Sequence, residues 1–235
     1  MTENTYSDTK DVFLIIPCYN EGPVIGEVIK ELKCNFSNIV VVNDGSTDET
    51  EDELAFLDVI NIKHPLNLGQ GASIFTGIEY VRRNTSAKAI VTFDADGQHS
   101  VSDAVLFANE ILKCSEEVIF GSRFLIENDT IPMAKKIVLK AVMKCTNYLS
   151  GMTLTDTHNG LKAFKIGAVS NLQTNLYRSA FETELILNVA RSKLSYKELP
   201  STIHYTPYSI KKGQKLSQGF IILEDLVRLV LKKWH

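Results

Sequence analysis

The 235-residue chain is 44% hydrophobic and 23% charged, with a formal net charge of −3. That balance suits a folded chain with a sizeable core and excludes the broad basic footprint of a nucleic-acid binder. No apolar run approaches the ~20 residues that cross a bilayer, and the polar, partly acidic stretch 1–11 is not a secretory signal.

Val12 to Ile16 form an apolar run ended by Pro17 and read as a strand buried on both faces. A helix follows over 22–34, with Val24, Ile25, Val28, Ile29 and Leu32 at helical spacing. Ile39 to Val42 are a second strand, closed by Asn43, Asp44, Gly45 and Ser46; Ser46 or Thr47 can cap an acidic helix over 49–57. A short strand is expected over 59–63, a helix over 71–83, a strand over 89–93 that delivers Asp94, a helix over 102–113 and a strand over 117–120. The second half is less regular. It reads as a basic amphipathic helix over 132–150, a strand over 161–166, a helix over 182–194, a strand over 198–205, a polar lysine-bearing stretch over 208–219 and an amphipathic helix over 220–234. Cys18, Cys34, Cys114 and Cys145 lack zinc or C-x-x-C spacing and read as free thiols of a cytoplasmic protein.

The β-α-β-α rhythm implies an α/β fold with a mostly parallel central sheet flanked by helices. Ligands bind such sheets beyond the carboxyl ends of the strands, where the polar clusters of this chain fall. With no repeat and no linker, one domain over 1–235 is expected, with about 11–125 as one half and about 126–235 as the other.

Asp94 and Asp96, separated by one small residue, can face one divalent ion if the chain turns at 95–97; hard oxygen ligands suit magnesium or manganese, which hold diphosphates. A lone D-x-D is a weak signal, because a solvated acidic turn looks the same. Asp44 can accept hydrogen bonds from a base imide or ribose hydroxyls. Asn67, Leu68, Gly69, Gln70 and Gly71 open a helix with two glycines, without the Lys-Ser/Thr pair of a Walker loop. Arg123 can clamp phosphate oxygens. Asp156 can serve as a general base, and His158, the more obvious base by intrinsic pKa, is as a lone loop histidine more often incidental.

Together these segments resemble glycosyltransferase family 2, and within it the dolichyl-phosphate mannosyltransferase-like branch. The motifs are 17–21 (Pro-Cys-Tyr-Asn-Glu), 43–48 (Asn-Asp-Gly-Ser-Thr-Asp), 67–72 (Asn-Leu-Gly-Gln-Gly-Ala), 94–99 (Asp-Ala-Asp-Gly-Gln-His), 121–123 (Gly-Ser-Arg) and 156–164 (Asp-Thr-His-Asn-Gly-Leu-Lys-Ala-Phe). They run in order over nearly the whole chain. The resemblance implies the GT-A fold of nucleotide-diphospho-sugar transferases and a hexosyltransferase that inverts the anomeric carbon. The donor would be a UDP- or GDP-linked sugar and the acceptor a polyprenyl phosphate or a glycan, in cell-surface polysaccharide or glycoconjugate synthesis. It implies that Pro17, Tyr19, Glu21 and Asp44 hold base and ribose, with Gly71, Asp94 and Ala95 completing the donor site. Asp94, Asp96 and Gln98 would bind Mg2+ or Mn2+, and Arg123 would contact phosphate. Asp156 is the first candidate for the acceptor-side acid/base position and Glu184 its competitor.

The chain also departs from the pattern. Members that use a polyprenyl phosphate usually carry an arginine, and a serine one helical turn on, where Lys135 and Leu139 stand. Gln214 replaces the common serine of a mobile loop whose Lys215 is a phosphate contact. The basic helix and the Val227, Leu231, Trp234 end offer a peripheral contact with the anionic inner face of a membrane, against the usual core-facing use of such a stripe. Two alternatives remain: a nucleotidyltransferase, against which the absence of a glycine-rich basic loop after the first strand argues, and a non-catalytic sugar-nucleotide-binding module.

Overall fold

The structure, a computed structural model, describes residues 9–126, 133–170, 172, 181–204 and 208, the side chains of 134 and 135 excepted. A 3-10 turn at Thr9–Asp11 leads into β1 (Val12–Cys18), α1 (Gly22–Lys33), β2 (Ile39–Asn43), α2 (Thr50–Ala55), β3 (Ile60–Lys63), α3 (Gln70–Asn84) and β4 (Ala89–Thr92). Then come α4 (Val101–Lys113), β5 (Val118–Ser122), α5 (Met133–Ser150), β6 (Lys162–Lys165), α6 (Ile166–Val169), α7 (Phe181–Arg191) and β7 (Tyr196–Pro200).

The seven strands form one sheet in the order β3-β2-β1-β4-β6-β5-β7. All neighbours pair in parallel except β6, which runs antiparallel to both β4 and β5. The period-two alternation of the strands divides the core. Leu14, Ile16, Val41 and Val91 meet α1 and α4 on one face through Ile25, Ile29, Phe107 and Ile111. Ile15, Val40, Val42 and Ile90 meet α3 and α7 on the other through Ile74, Ile78, Ile186 and Val189.

The chain moves outward from β1 to β3 and then returns across the sheet to β4. The carboxyl ends of β1 and β4 therefore flank a topological switch point, where the loops diverge and leave a crevice. Tight packing of α3 on the sheet and on α7 depends on small residues. A Cβ on Gly77 would lie 2.5 Å from Ile15, and one on Gly71 would lie 2.6 Å from the Phe181 ring.

The expected elements before residue 166 are all present. The strand expected over 198–205 is instead Tyr196–Pro200; beyond it, among the described residues, the Ser201 amide donates to Ser122 O at 3.0 Å and Ile203 bridges to His99. The four-residue helix α6 was not expected. Lys215 and the helix expected over 220–234 lie outside the described residues, as does the Lys135 side chain. Among the described residues no helix is long and apolar enough to cross a membrane.

Candidate active site

The loop after β1 is sewn to the loop after β2. Ser46 Oγ accepts from the Asn20 amide at 2.9 Å, Thr50 Oγ1 from Glu21 at 2.9 Å and Asp48 Oδ2 from Gly22 at 3.1 Å. Asn20 sits at φ 53°, a left-handed conformation that asparagine tolerates, and its Oδ1 accepts from the Thr47 amide. Burial works to raise the Asp48 carboxyl, but bonds from Thr50 and Gly22 outweigh it and hold the group below its usual value. The result places Glu21 at the crevice, buried, with its Oε2 accepting from the Tyr208 hydroxyl at 2.8 Å. Tyr208 lies near enough to Glu21, Asp48 and Asp96 for their charges, added to burial, to push its hydroxyl pKa upward. Tyr19 stays 40% exposed beside this group, and Pro17, one residue before the end of β1, pairs with Val42.

Asp44, at the end of β2, is buried and anchors the loop that starts α3. Its Oδ1 accepts from the Leu68 amide at 3.0 Å and its Oδ2 from Gly69 at 2.8 Å. Gly71 is occupied by the Phe181 ring, so its missing side chain serves the contact of α3 with α7.

Asp94 leaves β4 and remains 29% exposed. Gln70 Nε2 donates to its Oδ1 at 3.0 Å, and His99 Nε2 lies 3.1 Å from its Oδ2. Burial tends to raise this carboxyl, but the bond and charge of His99, together with Lys162 and Arg123, bring it below its ordinary value. Ala95 is buried in the core under the turn. Asp96 Oδ1 accepts from the Gln98 amide at 3.1 Å, and Gly97 makes the turn at φ 71°. Burial first, and then the charge of Asp94, push the Asp96 carboxyl up to about 6. The far side of the turn is fixed by the His204 amide, which donates to Gln98 O at 2.8 Å.

Beyond β5, Arg123 is buried and paired with Asp156, Nε to Oδ2 at 2.6 Å, and its second arm donates to His158 O. Asp156 Oδ1 accepts from the His158 amide at 3.1 Å, while Glu198 holds the Thr155 and Asp156 amides from β7. Burial pushes the Asp156 carboxyl up, but the Arg123 guanidinium outweighs it and leaves the group below the usual carboxylate range. Burial depresses the His158 ring to about 4. The base expected at Asp156 thus has both oxygens engaged by the protein.

Glu184, its competitor, is buried on α7. Two residues earlier, Glu182 forms an ion pair with Lys162 on β6, Oε2 2.6 Å from Nζ. Burial, opposed by Lys162 but aided by Asp94 and Asp156, raises the Glu182 carboxyl. This pair escapes sequence reasoning, because its members are distant in the chain and carry no shared local pattern. Among the described residues no group of three or more His, Cys, Asp or Glu side chains stands together as a metal cage.

A mostly parallel sheet with acidic side chains lining its switch-point crevice defines the class first: an α/β protein whose candidate site lies at the strand ends. The family model described as glycosyl transferase family 2 matches residues 13–171. The chain belongs to that family and is a glycosyltransferase. The UDP-N-acetylglucosamine–dolichyl-phosphate N-acetylglucosaminyltransferase of Methanococcus voltae is 33% identical, over 95% of this chain and 98% of its own length. An uncharacterised protein of Methanocaldococcus jannaschii is 34% identical over 92% of this chain and 91% of its own. The dolichyl-phosphate beta-glucosyltransferase of Saccharomyces cerevisiae is 25% identical over 86% and 70%. Among solved structures, glucosyl-3-phosphoglycerate synthase of Mycobacterium tuberculosis in complex with Mg2+ and UDP matches with a TM-score of 0.69 at 13% identity, over 95% of this chain and 80% of that one. The fold is the GT-A type.

Proposed function

We propose that the chain transfers a hexosyl unit from a UDP-linked sugar to a polyprenyl phosphate, with a divalent metal and with inversion at the anomeric carbon. The observation that carries this reading is the meeting of Glu21, Asp44, Asp94, Asp96 and Arg123 at the carboxyl ends of β1, β2, β4 and β5 around one crevice. The names of the relatives support UDP and a lipid phosphate, and the Mycobacterium tuberculosis complexes with UDP support the nucleotide.

The turn after β4 fits a hard cation. It offers two carboxylates and an amide oxygen, and Asp96 is held up at about 6 by burial and by the like charge of Asp94, a repulsion that a cation relieves. Asp94, Asp96 and Gln98 would hold Mg2+ or Mn2+, which when bound supplies positive charge against a diphosphate. Glu21, Asp44, Tyr19 and Pro17 take the nucleoside side. Arg123, held rigid by Asp156, adds a fixed cation near Asp94, so little reorganisation is needed as charge builds on the leaving group.

An acceptor phosphate oxygen bonds to the anomeric carbon while the bond from that carbon to UDP breaks, giving glycosyl phospholipid and free UDP. An ionised phosphate needs no general base. A sugar hydroxyl needs one, and a carboxylate with depressed pKa and both oxygens engaged, as at Asp156, is a weak one. The geometry therefore favours the lipid phosphate over a glycan. Incubation with UDP-sugars, Mn2+ and a short-chain polyprenyl phosphate should give glycolipid and UDP in equal amounts. Product formed only on glycan hydroxyls, or donor hydrolysis alone, would contradict the acceptor assignment.

We also assign the solvent side of α5 to the membrane surface. Opposite its buried Val142 and Thr146, the helix presents Met133, Ile137, Lys140, Lys144 and Tyr148 on one exposed stripe. Apolar and cationic side chains in one row suit a peripheral seat on anionic lipid, where a polyprenyl phosphate resides.

A further inference from the structure

His64 follows directly on β3 and belongs to none of the motifs that carry the family resemblance. It is nonetheless buried, and both of its ring nitrogens are engaged. Nδ1 lies 2.7 Å from Asp44 Oδ1, and Nε2 lies 2.9 Å from Thr76 Oγ1 on α3. Its own backbone is fixed, since the His64 amide donates to Asn43 O at 2.9 Å. An ionised carboxylate only accepts, so the Nδ1 proton points to Asp44; in the neutral ring, Nε2 then accepts from the Thr76 hydroxyl.

A carboxylate offers about four lone-pair directions. On Asp44 Oδ1, His64 and the Leu68 amide take two; on Oδ2, the Gly69 amide takes one. Among the described residues this leaves one direction, on Oδ2, for a ligand. Where it points depends on the rotation of the carboxyl group, a broad and soft torsion unless donors pin it. The Leu68 and Gly69 amides belong to the loop itself, whereas His64 ties the group to β3 and, through Thr76, to α3.

We propose that His64 is a positioning residue for nucleobase recognition: it orients the Asp44 carboxylate so that its remaining lone pair meets the ring N–H of the donor base. The inference rests on the assignment of Asp44 to the base. It also defines the class of base, because an acceptor-only group selects a ring that presents an imide-type N–H, as uracil does, over one that presents an unprotonated ring nitrogen.

The amide of an asparagine falls where Nδ1 stands, and that of a glutamine where Nε2 stands. His64→Asn therefore keeps the bond to Asp44 and His64→Gln loses it. Calorimetric titration with UDP in Mn2+ should show His64→Gln binding about tenfold more weakly than the natural protein, and His64→Asn within about threefold, the scale of one buried hydrogen bond. Inorganic pyrophosphate in Mn2+, which lacks a base, should bind all of them alike. A general loosening of the site would weaken both ligands together and overturn the proposal, as would a folded His64→Gln with natural UDP affinity, or an equal loss in both variants. Should His64→Gln fail to fold, Thr76→Val removes only the outer bond. It should cost about threefold in UDP affinity and nothing for pyrophosphate; no change in UDP affinity would overturn the idea. Asp44→Asn separates the levels. If it leaves UDP affinity intact, the base assignment itself fails; if it weakens UDP while His64→Gln does not, only the role of His64 fails.

Discussion

Asp96 is held in an unfavourable state by its neighbours. Its carboxyl is raised to about 6, so keeping it ionised at neutral pH costs the fold about 1–2 kcal/mol after allowance for partial exposure. Asp96→Asn should therefore stabilise the metal-free protein by about that amount in urea unfolding at pH 7.5, while Mn2+-dependent UDP binding is lost. Equal stability of the two proteins would contradict a carboxyl held up by burial and by the charge of Asp94. His158 makes an opposite contribution over nearly the same window. Its ring titrates at about 4 in the fold and near 6.5 when unfolded, so the stability it secures is present above 6.5 and lost as pH falls towards 4. Asp96 has a raised value and favours the fold as pH falls through 6. The difference between His158→Gln and the natural protein isolates the histidine: the variant should lose about 2 kcal/mol less between pH 7.5 and pH 4.5. Parallel losses in the two proteins would contradict the burial of that ring. Asp94, Asp96 and Arg123 are visible in the sequence because each closes a strand. Of their partners, His99 lies within the same 94–99 segment, whereas Lys162 and Asp156 reach Asp94 and Arg123 only through the fold.

At the scale of elements, the carboxyl end of β4 is shaped by β6. Thr92 Oγ1 donates to Gly160 O at 2.7 Å, and a Cβ on Gly160 would come within 2.0 Å of Asp94 Oδ2. Gly160→Ala must displace either the carboxylate or the strand; it should destabilise by about 1–3 kcal/mol and weaken Mn2+-dependent UDP binding. Gly167→Ala, where no atom stands within 4 Å of the new Cβ, is the control and should leave UDP binding unchanged. Natural UDP affinity in Gly160→Ala would show that this contact does not hold Asp94. The elements β1 to β4 and α1 to α4 are legible because each apolar run or stripe is bounded by polar turn residues. The strand at Lys162–Lys165 is legible too, but its antiparallel insertion is not, because the residues of a strand do not record its direction. α6, four residues that continue directly from β6, is too short to show a helical period, and the last strand begins two residues earlier than expected and ends at Pro200.

Across the whole molecule, a net charge of −3 coexists with a cationic, apolar stripe on α5. That asymmetry predicts selective binding to anionic vesicles, weaker binding to neutral ones, and at least tenfold loss on Ile137→Glu combined with Lys140→Glu, given about 1 kcal/mol per surface cation and the added apolar penalty. Equal sedimentation with both vesicle types would count against the stripe as the lipid-facing side. The turn after β4 is proposed to join a divalent metal to a donor nucleotide, and calorimetric titration of UDP with and without Mn2+, on the natural protein and on Asp96→Ala, decides this. Binding to the natural protein should depend on Mn2+ and disappear in Asp96→Ala; UDP affinity indifferent to the metal, or retained in the variant, would exclude a metal-bridged donor at this turn.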